Sequence, residues 1–356
     1  MTKKLLSVLS MITVLLLPCL GQAAPKEFRL LTWKGYAPAE LVEKFEKETG
    51  YKVQVTYSNN EEMIAKLRAT RGGGFDLAQP SQDRISSVQE SFGLYQAIDF
   101  GRIEAPRFIP SMLDAVKKNT LVKGKSYAVP FCWGTDGLIV NRKFAPEAKS
   151  FADLLDSKYA GRASYRLKRP TLIAQAFGMG IDPFALYADE AAYQKMLDQV
   201  EGKLIAAKGV VKNYWTNGDA LLESMRSGEV HIAQAWDNGG FKLHAENPDI
   251  DFVAPTTGAL GWIDTFAIPA KADNVDAAYK WINFMMRPEN AAVFTNAEDT
   301  PTAAVGVGER LKPSFRADFE RCYPQQVIDN IKWYPPVPAK LEAMEGKALD
   351  RVKAAQ

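Results

Sequence analysis

Histidine and cysteine are scarce in this sequence, with two and three residues respectively among 356. His231 and His244 do not have the close spacing of paired zinc ligands, and we expect both to be structural. The sequence also lacks a glycine-rich phosphate loop followed by Lys-Ser/Thr, a Gly-x-Ser-x-Gly nucleophile elbow and a metalloprotease histidine pair. We therefore predict a protein that is not an enzyme and has no catalytic residue, metal or cofactor. A hydrolase that uses two carboxylates distant in sequence stays open.

Net charge of either sign is also nearly absent. Lys and Arg number 44 and Asp and Glu number 42, so the formal charge is +2. We therefore predict no nucleic-acid partner, because phosphate backbones are bound by strongly basic surfaces. Hydrophobic residues make up 47 % and charged residues 24 % of the chain, which is typical of a globular protein. The length favours two domains.

Long apolar runs are confined to the start of the chain. Two lysines precede an apolar run over residues 5–17, and small residues then provide a cleavage site before Ala24. This order is typical of a secretory signal peptide, so we predict that residues 1–23 direct export and are removed. No later stretch of about 18 apolar residues would span a bilayer. Cys132 and Cys322 remain after cleavage, and their spacing leaves open whether they form a disulfide.

Hydrophobic periodicity alternates between strand and helix along the chain. Residues 28–32 have the pattern of a strand, Leu41, Val42 and Phe45 recur at helical spacing, and residues 51–57 alternate as a second strand. A strand-helix-strand unit of this kind joins parallel strands, and the same cycle continues to residue 78. The sequence therefore predicts an α/β fold.

Two helix-poor segments interrupt this alternation. The first, over residues 127–140, consists of two short apolar runs separated by Gly134, and the second covers residues 258–269. They bracket a further α/β series, so we predict two α/β lobes joined by hinge crossings near 131–135 and 255–268. The predicted division is a first lobe from 24–132 and 262–302, a second lobe from 133–261, and a mainly helical C-terminal segment, 303–356, that packs on the lobes.

Aromatic residues recur at the predicted ends of strands. Trp33 and Tyr36 follow the first strand, Trp236 ends a strand of the second lobe, and Trp262 lies in the second crossing. Ligands of α/β sheets bind beyond the carboxyl ends of the strands, so these side chains are candidates for a cleft. Core packing is the alternative for each tryptophan taken alone. Asp264 lies two residues after Trp262, and an indole face beside a carboxylate suits an organic cation.

Asp237 follows Trp236 directly and has two interpretations of equal weight. Its carboxylate either binds a ligand ammonium in the same cleft or caps a helix that begins ahead of Gly239 and Gly240. The sequence does not decide between them.

Five segments taken together resemble the periplasmic spermidine/putrescine-binding proteins of bacterial ABC transporters. In chain order they are Leu-Thr-Trp-Lys-Gly-Tyr-Ala-Pro at 31–38, Phe-Asp-Leu-Ala-Gln-Pro-Ser at 75–81, Val-Pro-Phe-Cys-Trp-Gly at 129–134, Gly-Glu-Val-His-Ile-Ala-Gln-Ala-Trp at 228–236 and Trp-Ile-Asp-Thr-Phe-Ala-Ile-Pro-Ala at 262–270. The resemblance extends from about residue 28 to about residue 302. It implies a monomeric periplasmic binding protein with two lobes that close over a polyamine or related amine. Such a protein delivers this small molecule to an inner-membrane ABC permease.

The resemblance also implies which residues line the polyamine cleft. The matching positions are Trp33, Tyr36, Ser81, Trp236, Trp262 and Asp264. A protein that presents its ligand to a membrane receptor, without transport, is a second class with the same fold.

The sequence departs from the family at two places. Asp83 stands where the family often has a second tyrosine, and it either lines the cleft or caps the helix that follows. Lys168 and Thr171 stand where acidic residues would bind amine groups, and we include Asp83 and Lys168 among the candidate ligand-binding residues. A zwitterionic ligand, such as an amino acid or an aminophosphonate, is therefore an alternative, with its acid group at Lys168 or Arg166. Otherwise Arg166, Lys168 and Arg169 form a solvated basic turn.

Overall fold

The structure is a computed structural model that describes residues 26–355, so the predicted signal peptide at 1–23 lies outside the described residues. Strands and helices alternate over most of this range, and the predicted α/β class is confirmed. The strands are β1 (Glu27–Thr32), β2 (Lys52–Tyr57), β3 (Leu77–Ala78), β4 (Leu121–Val122), β5 (Lys125–Ser126), β6 (Val129–Asn141), β7 (Ala163–Tyr165), β8 (Val211–Tyr214), β9 (Ile232–Trp236), β10 (Ile250–Val253), β11 (Leu260–Phe266) and β12 (Lys332–Trp333).

The α-helices range from a single turn to more than four turns. They are α1 (Ala39–Thr49), α2 (Asn60–Ala69), α3 (Ile85–Phe92), α4 (Pro110–Asn119), α5 (Arg169–Gly178), α6 (Glu190–Ala206), α7 (Gly218–Arg226), α8 (Asp237–Glu246), α9 (Val275–Met285), α10 (Pro288–Glu298), α11 (Pro313–Cys322), α12 (Gln325–Asp329) and α13 (Ala339–Ala354). Among residues 26–355, no helix combines the length and the apolar character that crossing a membrane requires.

The first lobe is built on a parallel sheet in the order β2-β1-β3. Leu30 of β1 pairs with Val55 of β2 and with Leu77 of β3. Helix α1 connects β1 to β2 and ends at Gly50, whose φ of 75° is the left-handed conformation that favours glycine after a helix. Its Phe45 packs edge-on against Trp281 of α9, with ring centroids 5.0 Å apart. The predicted strand-helix-strand unit is present, and its helix packs on the core of this lobe.

Two neighbouring antiparallel strands, β6 and β11, connect the lobes. The two short apolar runs on either side of Gly134 belong to a single strand, because β6 continues through Gly134 over 13 residues. Glycine is required at this position since a Cβ atom would lie 2.5 Å from the indole of Trp262, which is its partner on β11. The register between the strands shifts between Asp264 and Thr265. An irregularity of this kind bends a strand, and it lies where the crossing enters the first lobe.

The second lobe surrounds the other ends of these strands. Its sheet has the order β12-β11-β6-β9-β7-β8, and β10 pairs with β6 at the edge. Helix α13 packs against α5 and α6 of this lobe through Leu341, Leu349 and Val352, which are buried among their side chains. The exact lobe boundaries given by the sequence analysis stay a prediction.

The two cysteines among the described residues are free, which answers the question of a Cys132–Cys322 disulfide. Cys132 lies in the first-lobe core beside Phe131. Cys322 lies in a separate core region, where its Sγ contacts the carbonyl oxygen of Phe252 at 3.7 Å. Both thiols are buried, and burial raises the pKa of each above the ordinary value.

Candidate functional site

The cleft between the lobes contains a cavity of about 710 Å³. Its walls come from the loops after β1 and β3, from the segment between β7 and α5, from the end of β9 and from β11. The structure brings all eight sequence-predicted residues to this cavity: Trp33, Tyr36, Ser81, Asp83, Lys168, Trp236, Trp262 and Asp264. Five of them follow strands, Trp236 ends β9, and Trp262 and Asp264 lie on the crossing strand β11, so residues distant along the chain share one space.

Asp264 is the centre of the first-lobe wall. Its carboxylate accepts a hydrogen bond of 2.7 Å from the Tyr36 hydroxyl and one of 2.6 Å from Ser81 Oγ. Asn60 positions Ser81 from the other side, because its side chain donates to Ser81 Oγ and accepts from the Ser81 N–H. Asp264 is 4 % exposed, and this burial raises its pKa to about 7 although both hydroxyl donors lower it. A buried carboxylate of this kind gains most from a positively charged ligand group.

Aromatic side chains beside Asp264 are held in place before any ligand arrives. The ring of Tyr36 lies edge-on to Phe131 and to Phe294, with centroid distances of 5.5 Å in both cases. The indole N–H of Trp33 donates to the carbonyl oxygen of Gln79 at 2.9 Å. Rings that are fixed in this way lose little entropy when they contact a ligand.

The second-lobe wall contains a pair of indoles and a guanidinium. Trp236 lies edge-on to Trp215, with ring centroids 5.2 Å apart. The guanidinium carbon of Arg166 is 5.1 Å from the centroid of Trp236 and 5.2 Å from that of Trp215. Sequence analysis missed Trp215, although it directly follows β8 and the strand-end rule that selected Trp33 and Trp236 would have found it.

Asp83 lines the cavity, but its charge is already paired. Arg169 donates to Asp83 at 3.1 Å, to Glu345 of α13 at 3.1 Å and to the hydroxyl of Tyr187 at 2.5 Å. Burial raises the pKa of Asp83, and the charge of Arg169 opposes this rise. Arg169 is only 7 % exposed, so the alternative of a solvated basic turn is wrong for this residue. Asp83 and Arg169 therefore join both lobes to the C-terminal helix.

Two exposed ion pairs cross the cleft at its rim. Lys168 lies 3.7 Å from Glu61, and Lys34 lies 2.5 Å from Asp219. Each pair joins a first-lobe residue to a second-lobe residue, but exposed pairs contribute at most about 1 kcal/mol each. They favour a short distance between the lobes without determining it.

Two further aspartates near the cleft have different roles: Asp136 lines the cavity, and Asp237 does not. Asp136 lies on β6, lines the cavity and was missed by sequence analysis, although its position two residues after Gly134 places it on the same face of the strand. Burial raises the pKa of Asp136 to about 7, and the charge of Arg166 lowers it. Asp237 instead accepts hydrogen bonds from the Thr135 N–H at 2.9 Å and from the Tyr323 hydroxyl at 2.5 Å. Its role at the start of α8 is structural.

Both histidines lie outside the cavity lining and have structural contacts. The ring of His231 stacks on Phe144 at a centroid distance of 4.1 Å, and His244 Nδ1 lies 2.9 Å from the carbonyl oxygen of Ile250.

The cavity thus has a carboxylate with aromatic neighbours at one wall and a guanidinium on indoles at the other. The Asp264 wall is suited to holding a small organic cation.

Known proteins that are similar to this chain in sequence or structure are named for the binding or transport of polyamines. The spermidine/putrescine-binding periplasmic protein of Escherichia coli K12 is 29 % identical over 312 residues, which cover 86 % of this chain and 86 % of that protein. A putrescine-binding periplasmic protein of Pseudomonas aeruginosa is 26 % identical, with 94 % of each chain covered. The solved structure of a putative spermidine/putrescine ABC transporter protein from Listeria monocytogenes superposes with a TM-score of 0.81 at 25 % identity, covering 93 % of this chain and 100 % of that one.

The family model described as bacterial extracellular solute-binding protein matches residues 40–313, well over half of the chain. The family resemblance and the two-lobed binding-protein fold predicted from the sequence are thereby confirmed. The chain belongs to the bacterial extracellular solute-binding proteins.

Proposed function

We propose that this protein is the periplasmic solute-binding component of an ABC importer and that it binds a polyamine or a related small molecule that carries an amine. The observation that carries the proposal is the buried Asp264 carboxylate, held by Tyr36 and Ser81 beside aromatic rings in the cleft. The names of the Escherichia coli and Pseudomonas aeruginosa relatives support this ligand class. In this proposal the protein is exported, works as a monomer, binds no nucleic acid and releases its ligand chemically unchanged.

Each part of the first-lobe wall has a physical role toward an amine. The ligand ammonium replaces the proton of Asp264 and compensates the cost of burying its charge. Trp33 and Trp262 contact the alkyl chain and the charged end, because an indole face attracts a cation by roughly 0.5–2 kcal/mol. Tyr36 and Ser81 donate to the carboxylate and leave its remaining lone pairs for the ligand.

Closure of the cleft follows from contacts on both lobes. A ligand that touches Asp264 on one wall and Trp236 on the other stabilises the closed form relative to the open form by its differential affinity. The two crossing strands, β6 and β11, are the place where a small change in backbone torsion moves one lobe relative to the other. The permease then distinguishes the closed protein from the open one.

Calorimetric titration of the mature protein with putrescine, spermidine and a panel of amino acids tests the proposal. We expect at least one linear primary amine to bind with one site per chain, and thermal melting offers a rapid screen. A ligand at 100 times its dissociation constant adds about 2.7 kcal/mol to the free energy of unfolding. Absence of binding by every amine, or turnover of any of them, would contradict the proposal.

The affinity for an amine is expected to depend on pH. Burial raises the pKa of Asp264 to about 7 in the ligand-free protein. Below that value the carboxyl group is protonated and binding must release a proton, so the apparent Kd rises by up to about tenfold per pH unit as the pH falls. Above that value the Kd is expected to be constant until the amine itself loses its proton. Calorimetry in buffers of different ionisation enthalpy measures the proton released.

Asp136→Asn is the matched control, because burial raises the pKa of Asp136 to the same value of about 7. This variant should keep the pH dependence if Asp264 causes it. An affinity that stays constant between about pH 5 and pH 8 would show that the Asp264 carboxyl does not exchange its proton for the ligand.

Gly134→Ala is expected to weaken amine binding by roughly 3- to 30-fold, the range that one cation–π contact contributes. The added Cβ would lie 2.5 Å from Trp262 Cζ2 and 2.9 Å from Asp237 Oδ1, so the indole must move. Titration with the best amine measures the loss. Gly202→Ala is the control, because this glycine lies inside helix α6 and an added Cβ would meet no atom within 4 Å, so its replacement should leave affinity unchanged.

A further inference from the structure

Arg166 occupies a position in the cleft that a diamine ligand does not explain. It follows β7 in the second lobe, lines the cavity, and its guanidinium lies over the rings of Trp215 and Trp236. Cation–π contacts of this kind do not use the hydrogen-bonding edge of a guanidinium, so its N–H groups remain available to an acceptor. A carboxylate or another planar acid group is the natural partner for that edge.

Ion pairing in the cavity wall distinguishes Arg166 from its neighbours. Lys168 pairs with Glu61, Arg169 with Asp83, and Arg84 with Glu342. Lys34 and Lys242 pair with Asp219 and Glu298 in the same way. Of the cationic side chains that line the cavity, Arg166 alone has no carboxylate within ion-pair distance in the described part of the chain.

The backbone at this wall adds to its positive potential. Helix α5 begins at Arg169, and the preceding Lys168 provides no side-chain cap. The first N–H groups of a helix and its dipole favour a negative charge. Lys168, Arg169 and Pro170 all line the cavity, so the start of this helix lies at the same wall as Arg166.

Asp136 is the competing candidate, since its carboxyl group also lines the cavity and forms no ion pair within residues 26–355. It lies close enough to both Arg166 and Asp264 for their charges to act on it. A second ammonium at Asp136 would therefore meet the positive charge of Arg166. An acid group at Arg166 would instead compensate a guanidinium that has no ion pair and that lies at the same wall as the uncapped start of α5. The balance favours an acid group.

Building on the proposed function, we propose that Arg166 binds an acidic group of the ligand. The substrate class is then a linear ω-amino acid, or its phosphonate counterpart, with its ammonium at Asp264 and its acid group at Arg166. Putrescine, the diamine in the names of the relatives, would then bind this protein more weakly than the amino acid does.

Three four-carbon probes test this assignment by calorimetry: n-butylamine, putrescine and 4-aminobutanoate. Each has an ammonium group at one end, and the other end is a methyl group, a second ammonium group or a carboxylate. The corresponding five-carbon set, with cadaverine and 5-aminopentanoate, ensures that chain length does not decide the outcome. We expect the amino acid to bind roughly tenfold or more tightly than the monoamine of equal length, and the diamine to bind no better than the monoamine. A titration with 3-aminopropylphosphonate distinguishes a carboxylate site from a phosphonate site, and preference for either acid over the monoamine supports the proposal.

Variants at Arg166 identify the residue responsible. Arg166→Gln should abolish the preference for the amino acid while retaining butylamine binding, which also shows that the variant is folded. Arg166→Glu should reverse the preference toward putrescine. Arg162→Gln is the matched control, because Arg162 is exposed and lies outside the residues that line the cavity, and it should behave as the wild type.

The outcomes separate this inference from the proposed function. Putrescine binding that is tightest in the wild type, is unaffected by Arg166→Gln and is lost in Asp136→Asn would overturn the acid-group assignment and leave the amine-binding function in place. Failure of every probe to bind would overturn both. An amino-acid preference that persists in Arg166→Gln would also overturn the assignment, since another group would then bind the acid.

Discussion

Replacing Asp264 by asparagine is expected to weaken binding of every amine ligand by about 30-fold to several-thousand-fold, which corresponds to about 2–5 kcal/mol. Asparagine keeps the size of the side chain but removes the charge that pairs with the ammonium. It also disturbs the two hydroxyl donors, because Tyr36 and Ser81 both donate to carboxylate oxygens and an amide offers one acceptor oxygen. Titration of wild type and variant with the best amine measures the ratio of dissociation constants.

In the absence of ligand, the free energy of unfolding of the wild type should fall as the pH rises from the ordinary pKa of an aspartate to about 7, and this fall should be smaller in the same variant. Burial disfavours the ionised form of Asp264, so its folded-state pKa of about 7 lies above the ordinary value. A raised pKa means that the ionised carboxylate costs stability as the pH rises through this range, and asparagine removes that cost. Asp114→Asn, at an exposed site on helix α4, is the control for binding. Unchanged affinity in Asp264→Asn would remove the observation on which the proposed function rests.

The second large effect is expected on stability, from Arg169→Met. This replacement leaves Asp83 and Glu345 buried without their shared cation, and breaking a buried pair in this way costs about 3–5 kcal/mol. Because Arg169 belongs to the second lobe, Asp83 to the first and Glu345 to the C-terminal helix, we expect loss of contact between three parts of the chain. Denaturant unfolding of the ligand-free protein gives the change in free energy.

An exposed pair provides the matched control. Arg351 of α13 binds Glu201 of α6 at 2.9 Å, but its side chain is 47 % exposed, so Arg351→Met should cost at most about 1 kcal/mol. Adding Glu345→Gln to Arg169→Met should recover part of the loss, because one uncompensated charge is then removed. If Arg169→Met and Arg351→Met cost the same, the buried network does not stabilise the fold as we describe.

Much of the first-lobe wall could be predicted from residue type and order. Trp33 and Tyr36 follow a strand that its apolar residues predict, and Trp262 and Asp264 stand two residues apart on one strand, so they face the same side. Trp215 and Asp136 were missed although the same two rules apply to them. The length of β6 was not predicted, because only the structure shows that the missing side chain of Gly134 leaves the space that Trp262 fills.

Residue order alone thus determined the α/β alternation, the family and a set of aromatic and acidic candidates at strand ends, because each of these depends on periodicity and local neighbours. The tertiary structure decided which charges remain available to a ligand. Asp83 and Arg169 are 86 residues apart and Arg169 and Glu345 are 176 apart, so their pairing leaves no mark in local sequence. Whether a cation in the wall is neutralised or unpaired depends on distances of a few ångströms between distant segments, and in this cleft that difference separates Lys168 and Arg169 from Arg166.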